Sequence, residues 1–268
     1  MLLNQNMVLN PKGKMHEFLI RIFNIILVFF GIYAISYISN YASLLIIPNF
    51  KSDQVLGWVW SFFQHTFMLV VTLLILKVFL KKTPQQAGLN FRNIRKWHIY
   101  IKWYCVIITV FLLIGALVLF LTSENIRQSL LLGYFVIPTK SKVVEILYMF
   151  TMPGIGEEPL FRAFVIIVLM KVFKGNLKVG KTNIPTAVII SPIFFMFAHM
   201  NIGFGRFAGV NLNISYLIGA LINGLYFAWV YYDTESLVPA IIVHNYFDVI
   251  ASSLRYLIPY VYLLVQRI

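Results

Sequence analysis

Residues 153–162 read Pro-Gly-Ile-Gly-Glu-Glu-Pro-Leu-Phe-Arg, and they lie inside a long apolar stretch at about residues 142–173. Two carboxylates and a guanidinium are costly in such surroundings, so their presence indicates a function. The Pro-Gly-Ile-Gly run at 153–156 predicts an interruption of the helix just before the charges. A new helix would then offer free backbone N–H groups near the carboxylates, with Pro159 in its first turn. The stretch predicts a broken membrane helix at a buried polar site.

The composition of the whole chain also indicates a membrane protein. Hydrophobic residues make up 60% of the 268 residues, charged residues make up 12%, and the mean hydropathy is +0.83. An average soluble domain carries roughly 25% charged residues. Long apolar runs are typical of membrane-spanning helices, whereas a β-barrel would show short alternating segments. The net charge of +13 is explained by basic loops at a membrane surface, so no nucleic-acid partner is predicted.

The apolar runs predict an all-α, polytopic transmembrane bundle. We place about eight membrane segments, and several of the later ones are short, as is tolerated when a segment is buried among others. No repeat or long linker divides the chain, so residues 1–268 are predicted to form a single integral membrane domain. The segments lie at about 18–38, 55–80, 98–121, 142–173, 185–199, 212–232, 236–253 and 256–267.

The loops predict the orientation. Basic residues concentrate in the loop after the second segment, in the loop after the fourth and before the first segment, whereas the opposite loops carry fewer. Because cytoplasmic loops carry an excess of Lys and Arg, we expect both termini in the cytoplasm. The stretch from Lys81 to Lys96 is either an interfacial helix on the anionic leaflet or a solvated loop.

Glu157 and Glu158 are expected to face different ways. Glu158 and Arg162 are four residues apart, so they are neighbours on one helix face and should pair, because an unpaired charge is prohibitive in apolar surroundings. Glu157 is turned by about 100° from Glu158, which leaves it free to act on a water molecule. The alternative is an ion pair that only locks the packing of the helices.

Two further pairs follow the same spacing of four residues. Phe195 lies one turn before His199, and His244 lies one turn before Asp248. Asp248 would either fix the tautomer and orientation of the His244 ring or face a substrate together with it. Taken alone, His199 is more typical of a packed core histidine than of a catalytic one. The joint occurrence of three such pairs in apolar segments favours one buried site.

The three motifs, Glu-Glu-x-x-x-Arg, Phe-x-x-x-His and His-x-x-x-Asp, resemble those of the CAAX protease and bacteriocin-processing family, also called CPBP or Abi. They occur in the family's order and on separate segments, and the resemblance covers about residues 142–253, the expected catalytic core. The family pattern has Asn or Asp at the last position, where this chain has Asp248. The resemblance implies an intramembrane endopeptidase that cleaves a hydrophobic or lipid-linked peptide or protein.

Residue roles are carried over from the family as expectations. Glu157 would be the general base on a water also held by His199, while His244 and Asp248 would bind the scissile carbonyl and stabilise the oxyanion. Glu158, Arg162 and Phe195 would support the site. The family is often labelled metalloprotease, and Glu157, His199 and His244 are candidate ligands for Zn²⁺. No His-Glu-x-x-His motif is present, so we favour a glutamate-activated water and leave the cofactor open.

Other functions are compatible with these residues. One alternative is a non-catalytic membrane immunity or scaffold protein of the same fold, because bacterial proteins resembling the family are linked to self-immunity against bacteriocins. A second is an ion- or proton-coupled transporter, which we favour less because the chain shows no inverted repeats. A bacterial plasma membrane is the expected location, and membrane lipids are the expected surroundings. His65, Asn223 and Asn245 are predicted to pack or bridge helices.

Overall fold

The structure is a computed structural model of the chain, and it describes residues 11–51, 53–200 and 213–266. These residues form ten α-helices, one π-helical segment and one β-hairpin. The elements, in chain order, are α1 (Pro11–Ile46), α2 (Gln54–Val78), α3 (Ile94–Thr122), α4 (Glu124–Val136), α5 (Thr139–Thr151), α6 (Pro153–Glu158), the π-helical segment (Pro159–Val165), α7 (Ile166–Val172), β1 (Asn176–Val179), β2 (Thr182–Pro185), α8 (Thr186–Ala198), α9 (Ile214–Thr234) and α10 (Leu237–Val265).

Five of the helices, α1, α2, α3, α9 and α10, are long and apolar enough to cross a membrane. In α3 the most apolar window has a mean hydropathy of 3.0, yet only 6% of that window is buried inside the protein. Such an apolar outer surface is stable against lipid chains rather than water. The predicted all-α, polytopic membrane bundle is thereby confirmed.

The fourth apolar segment is broken where the sequence predicts it. Helix α5 ends at Thr151 and α6 begins at Pro153, where a missing N–H is tolerated. Pro159 lies six residues further on, at the start of the π-helical segment and not in the first turn after the break. The π-helical segment is buried along its whole length, and it packs against α2, α8, α9 and α10. The broken segment is therefore the centre of the bundle.

The seventh and eighth apolar segments form one continuous helix, α10. Arg255 lies at the predicted boundary between the two segments. In the structure its guanidinium is hydrogen-bonded to the buried carboxylate of Glu145 on α5, and the Tyr256 hydroxyl donates to the same carboxylate at 2.6 Å. The helix continues through this position, and its charge is paired with α5.

One continuous α10 places the two ends of the bundle at opposite faces. The Leu237 N–H at its start donates to the carbonyl of Gly88, in the loop that follows α2. Near its other end, Tyr262 contacts Phe120 at the end of α3, with ring centroids 5.2 Å apart. Because α1 and α2 pack as neighbours joined by a short turn, α1 begins on the face where α2 ends. The described ends of α1 and α10 therefore lie on opposite faces of the bundle. The termini themselves lie outside the described residues, and their location in the cytoplasm stays a prediction.

The basic loop between α2 and α3 does not form an interfacial helix over residues 81–93. It consists of turns that pack on the junction of α9 and α10. Asn90 donates to the carbonyl of Glu235, Ser236 donates to the carbonyl of Asn90, and Lys96 at the start of α3 pairs with Asp233 at 3.0 Å. The loop thereby fixes the start of α10, which carries His244 and Asp248.

Candidate active site

Glu158 and Arg162 form the ion pair that their spacing predicts. The Arg162 Nε donates to Glu158 Oε2 at 2.8 Å, and both side chains are fully buried. Glu158 Oε1 accepts a further hydrogen bond from His244 Nδ1 at 2.8 Å, because a carboxylate can only accept here. A buried charge is tolerated when it is paired in this way, so Glu158 is committed to holding Arg162 and His244 in place.

Glu157, one residue earlier, faces a different set of groups. Its Oε2 lies 4.0 Å from His199 Nε2 and 3.9 Å from His244 Nε2. This oxygen is shielded from solvent and accepts no hydrogen bond from any group in the described part of the chain. Its Oε1 lies 3.4 Å from His65 Nε2. Glu157 is thus a partly buried carboxylate whose Oε2 atom is shielded, faces two histidines and accepts no hydrogen bond from the described residues.

His199 stands at the end of α8, and its ring orientation is fixed by the backbone. The Nδ1 atom lies 2.8 Å from the carbonyl of Phe195, which can only accept, so Nδ1 carries the proton. In the neutral ring the lone pair is then on Nε2, the atom that faces Glu157. The Phe195 ring lies one turn earlier and contacts the imidazole at 4.3 Å, as the spacing of four residues predicts.

Phe195 also provides an apolar surface against which other side chains of the site pack. It packs edge-on against His244, with ring centroids 5.8 Å apart, and it lies under the Arg162 guanidinium at 4.8 Å. On the other side of His244, the ring of Phe227 from α9 is stacked at 5.0 Å. These aromatic contacts fix the planes of the rings and shield the Glu158–Arg162 pair from water.

Asp248 and Glu158 lie at different edges of the His244 ring. Glu158, not Asp248, binds Nδ1 of His244 and so sets its tautomer. Asp248 lies at the other edge of the ring, where its Oδ2 is 3.5 Å from Nε2. Its side chain is 23% exposed, whereas that of Glu158 is 0% exposed. Asp248 and the Nε2 edge of His244 therefore face the accessible side of the site together.

Two glycines allow the surrounding helices to approach α6. A Cβ atom on Gly156 would lie 2.8 Å from the Cβ and the Cδ2 of His65 on α2. A Cβ atom on Gly154 would lie 2.9 Å from the Ile241 carbonyl of α10. Gly154 N–H donates to Asn245 Oδ1 at 2.7 Å, and Asn245 Nδ2 donates to the Thr151 carbonyl at 3.1 Å. The backbone N–H that the break frees is therefore bound by Asn245, as the predicted bridging role requires, and not by the carboxylates.

His65 was not predicted to belong to the site, yet it is a direct neighbour of Glu157. From the sequence, His65 is expected to be a packed or interfacial histidine, and the apolar segment around it holds no acidic residue. Its partners, Glu157 on α6 and Tyr148 on α5, are 92 and 83 residues away along the chain. Local spacing carries no signal for such a contact.

The three candidate metal ligands do not form a metal site as they are arranged. Tetrahedral zinc with bonds of about 2.0–2.2 Å needs ligand atoms about 3.4 Å apart, and Glu157 Oε2 is 4.0 Å and 3.9 Å from the two histidine nitrogens. Over residues 11–51, 53–200 and 213–266, no group of three or more His, Cys, Asp or Glu side chains is placed to hold a metal ion.

Comparison with known proteins bears on the same segment. Residues 139–250 match the family model of the type II CAAX prenyl endopeptidases, described as Rce1-like. No curated protein and no solved structure matches the chain. The matched segment contains all three motifs of the site, from the α6 carboxylates to Asp248 on α10. This segment, which is less than half of the chain, is therefore similar to the CAAX protease family, also called CPBP or Abi, as the order of the three motifs predicts.

Proposed function

We propose that the protein is an intramembrane endopeptidase in which Glu157 activates a water molecule for attack on a peptide bond. The family implies a protease that acts on a peptide or protein substrate in a membrane. The observation that carries the proposal is the buried Oε2 of Glu157, which lacks a donor and faces Nε2 of His199 at 4.0 Å. A carboxylate oxygen and a neutral imidazole nitrogen are both acceptors, so the group that fits between them is a donor with two protons.

A water molecule has the required two protons, so we propose that the first step is attack by this water on the substrate. With its protons directed at Glu157 and His199, its oxygen presents a lone pair to the scissile carbonyl carbon. Glu157 takes one proton as the C–O bond forms and then delivers it to the nitrogen of the peptide bond, which leaves as an amine. Because the base and the water are already held in position, little further entropy is lost when the transition state forms.

The other side of the site is suited to the carbonyl oxygen. His244 Nε2 and the Asp248 carboxyl lie 3.5 Å apart on the more accessible edge. Each donates to an oxyanion only when it carries a proton, because only then does it have a donor to offer. We propose that the pair binds the carbonyl with at least one such proton in place, while Glu158 holds the ring from behind.

The proposed chemistry contains no step through a metal. The distances from Glu157 to the two histidines support this assignment, since they exceed those of a closed zinc site. We expect cleavage by the purified protein to be unchanged after incubation with 1,10-phenanthroline. Loss of cleavage with the chelator, and recovery on addition of Zn²⁺, would replace the proposed role of Glu157 by that of a metal ligand.

The position of the site favours a hydrophobic or lipid-linked substrate. The carboxylates lie at the centre of the bundle, among helices whose outer faces are apolar. A bacterial plasma membrane, with the basic loops in the cytoplasm, is the proposed location. Maturation of a bacteriocin or a signalling peptide is the proposed role, and self-immunity is compatible with the same site.

The experiment that tests the function is comparative peptidomics. Cells would produce the wild type, Glu157→Gln or His244→Ala at matched membrane levels. Peptides that appear only with the wild type would support proteolysis and would identify the substrate class. Identical profiles, with an immunity phenotype retained by both variants, would contradict the protease and favour a scaffold of the same fold.

A further inference from the structure

His65 approaches Glu157 from the side opposite to the other two histidines. It lies on α2, it is 8% exposed, and its Nε2 is 3.4 Å from Glu157 Oε1. His199 and His244 both face Oε2 instead. The two oxygens of one carboxylate therefore have different neighbours.

The ring of His65 is held from two helices. Its Nδ1 lies 2.9 Å from the backbone carbonyl of Ser61, which can only accept, so this nitrogen carries a proton. The hydroxyl of Tyr148 on α5 lies 3.0 Å from the same nitrogen. With Nδ1 fixed in this way, Nε2 is the atom directed at Glu157, and it donates to Oε1 when it also carries a proton.

Contact at Oε1 has a consequence for Oε2. The terminal torsion of a glutamate is soft, so an unrestrained carboxylate would turn its two oxygens through the site. When Nε2 of His65 carries a proton and donates to Oε1, this rotation is limited and Oε2 is left facing His199 and His244. Catalytic groups need such support from residues behind them, because a displacement of about 1 Å can lower the rate by about 100-fold.

The backbone is adapted to the same contact. Gly156 lies directly before Glu157, and a Cβ there would be 2.8 Å from His65 Cβ and 3.0 Å from its Cα. Glycine therefore lets α6 and α2 approach closely enough for a side chain of α2 to reach the carboxylate. The close approach of the two backbones and the hydrogen bonds of the ring both place His65 next to one atom, Glu157 Oε1.

We propose that His65, supported by Tyr148, is a positioning residue that fixes the carboxylate of Glu157 with Oε2 directed at the reacting water. The proposal rests on the proposed function of Glu157 as general base. A histidine that only fills space between α2 and α6 would give the same burial, so the test must separate a hydrogen-bonding role from packing.

The first test is kinetic and compares two substitutions on a reporter peptide that the wild type cleaves. His65→Leu keeps an apolar volume without a donor, whereas His65→Gln keeps an amide donor near the position of Nε2. We expect kcat of His65→Leu to fall by about 10- to 100-fold with KM within about twofold, as for loss of a supporting partner. His65→Gln should recover most of the lost kcat. Equal kcat in the two variants, or wild-type kcat in His65→Leu, would overturn the proposal.

The second test does not depend on activity. A double-mutant cycle on the melting temperature, in detergent, would combine His65→Leu with Glu157→Gln. For residues in contact we expect the two shifts to deviate from additivity by about 2 °C or more. Additive shifts would overturn the contact itself.

The two tests keep this proposal distinct from the proposed function. If the wild type cleaves no more than Glu157→Gln, the proposed protease function is contradicted. Non-additive shifts in the double-mutant cycle would then show only that His65 contacts Glu157, and the positioning role would be overturned as well. If Glu157→Gln is inactive while His65→Leu is fully active, the protease stands and the role of His65 fails.

Discussion

Glu157 and Glu158 are adjacent and have the same side chain, yet they contact different groups in this site. Glu158 is bound by Arg162 and His244, whereas Glu157 Oε2 is left without a donor and faces His199 and His244. The difference arises because consecutive helical residues point about 100° apart. The pair therefore offers a matched comparison between the carboxylate proposed to react and a structural one.

We expect Glu157→Gln and Glu158→Gln to fail in different ways. Glu157→Gln should lower kcat by about 10²- to 10⁴-fold, the usual contribution of a general base, with the melting temperature close to that of the wild type. Glu158→Gln should lower the melting temperature clearly, because Arg162 is left as a buried charge without its counter-ion. Turnover and thermal unfolding in detergent measure the two effects. A stable, active Glu157→Gln would contradict the assignment.

Asp248 is open to a similar residue-level test. Because it would act on the carbonyl oxygen as a donor, Asp248→Asn should retain cleavage within about tenfold of the wild type, since an amide donates without being protonated. Asp248→Leu, which keeps a side chain of similar volume, should lose about 100-fold or more, as in loss of one oxyanion donor. Initial rates on the same reporter peptide measure both. An inactive Asp248→Asn with a normal melting temperature would instead indicate that the negative charge is needed.

At the scale of the elements, the site depends on how closely α6 is approached by its neighbours. Gly156 permits the contact with α2, and Gly154 permits the contact with α10. The π-helical segment that follows keeps Glu158 and Arg162 on one face even though its turn is wider than that of an α-helix. The broken helix therefore serves both to admit the neighbouring helices and to present the carboxylates.

Gly156→Ala is expected to disrupt this approach. The added methyl group would meet His65 at 2.8 Å, so α6 and α2 must move apart and Glu157 must lose its contact with His65. We expect cleavage to fall by about 10-fold or more, because a shift of the base of about 1 Å is sufficient for a larger loss. Gly115→Ala on α3 is the control, since a Cβ there meets nothing within 4 Å. Similar rates for both variants would mean that the close approach of α6 is not required.

At the scale of the whole molecule, one continuous α10 determines which face of the membrane each element reaches. The hairpin of β1 and β2 lies on the face where α9 ends, since the Tyr232 hydroxyl donates to the Asn183 carbonyl at 3.4 Å. The end of α10 and the turn between α4 and α5 lie at the other face, where Tyr134 contacts Tyr260 with ring centroids 6.4 Å apart. We expect the basic hairpin to lie in the cytoplasm because of its charge.

Labelling with a membrane-impermeant maleimide tests this topology. In a Cys105→Ala background, single cysteines would replace Lys140, Lys178 or Gln266, which are exposed in the structure. Lys140→Cys and Gln266→Cys should react in intact cells, and Lys178→Cys should react only after permeabilisation. If Gln266→Cys behaves like Lys178→Cys, α10 ends in the cytoplasm, as the sequence predicts for both termini.

The sequence by itself determined the class of the protein and most of the groups in the site. Long apolar runs indicate membrane helices because the bilayer core requires apolar side chains and satisfied backbone groups. A spacing of four residues places Glu158 and Arg162 on one face of their helix, and it does the same for Phe195 and His199 on another helix. These are local consequences of helix geometry, and both contacts are present in the structure. The family resemblance followed from the order of the same motifs.

Only the tertiary structure decided how those motifs meet. The contact of His65 with Glu157 and the hydrogen bond of His244 to Glu158 join residues 92 and 86 positions apart. The pairing of Arg255 on α10 with Glu145 on α5 joins residues 110 positions apart. Such contacts depend on how helices pack against one another, and no periodicity within a single segment encodes the position of its neighbours.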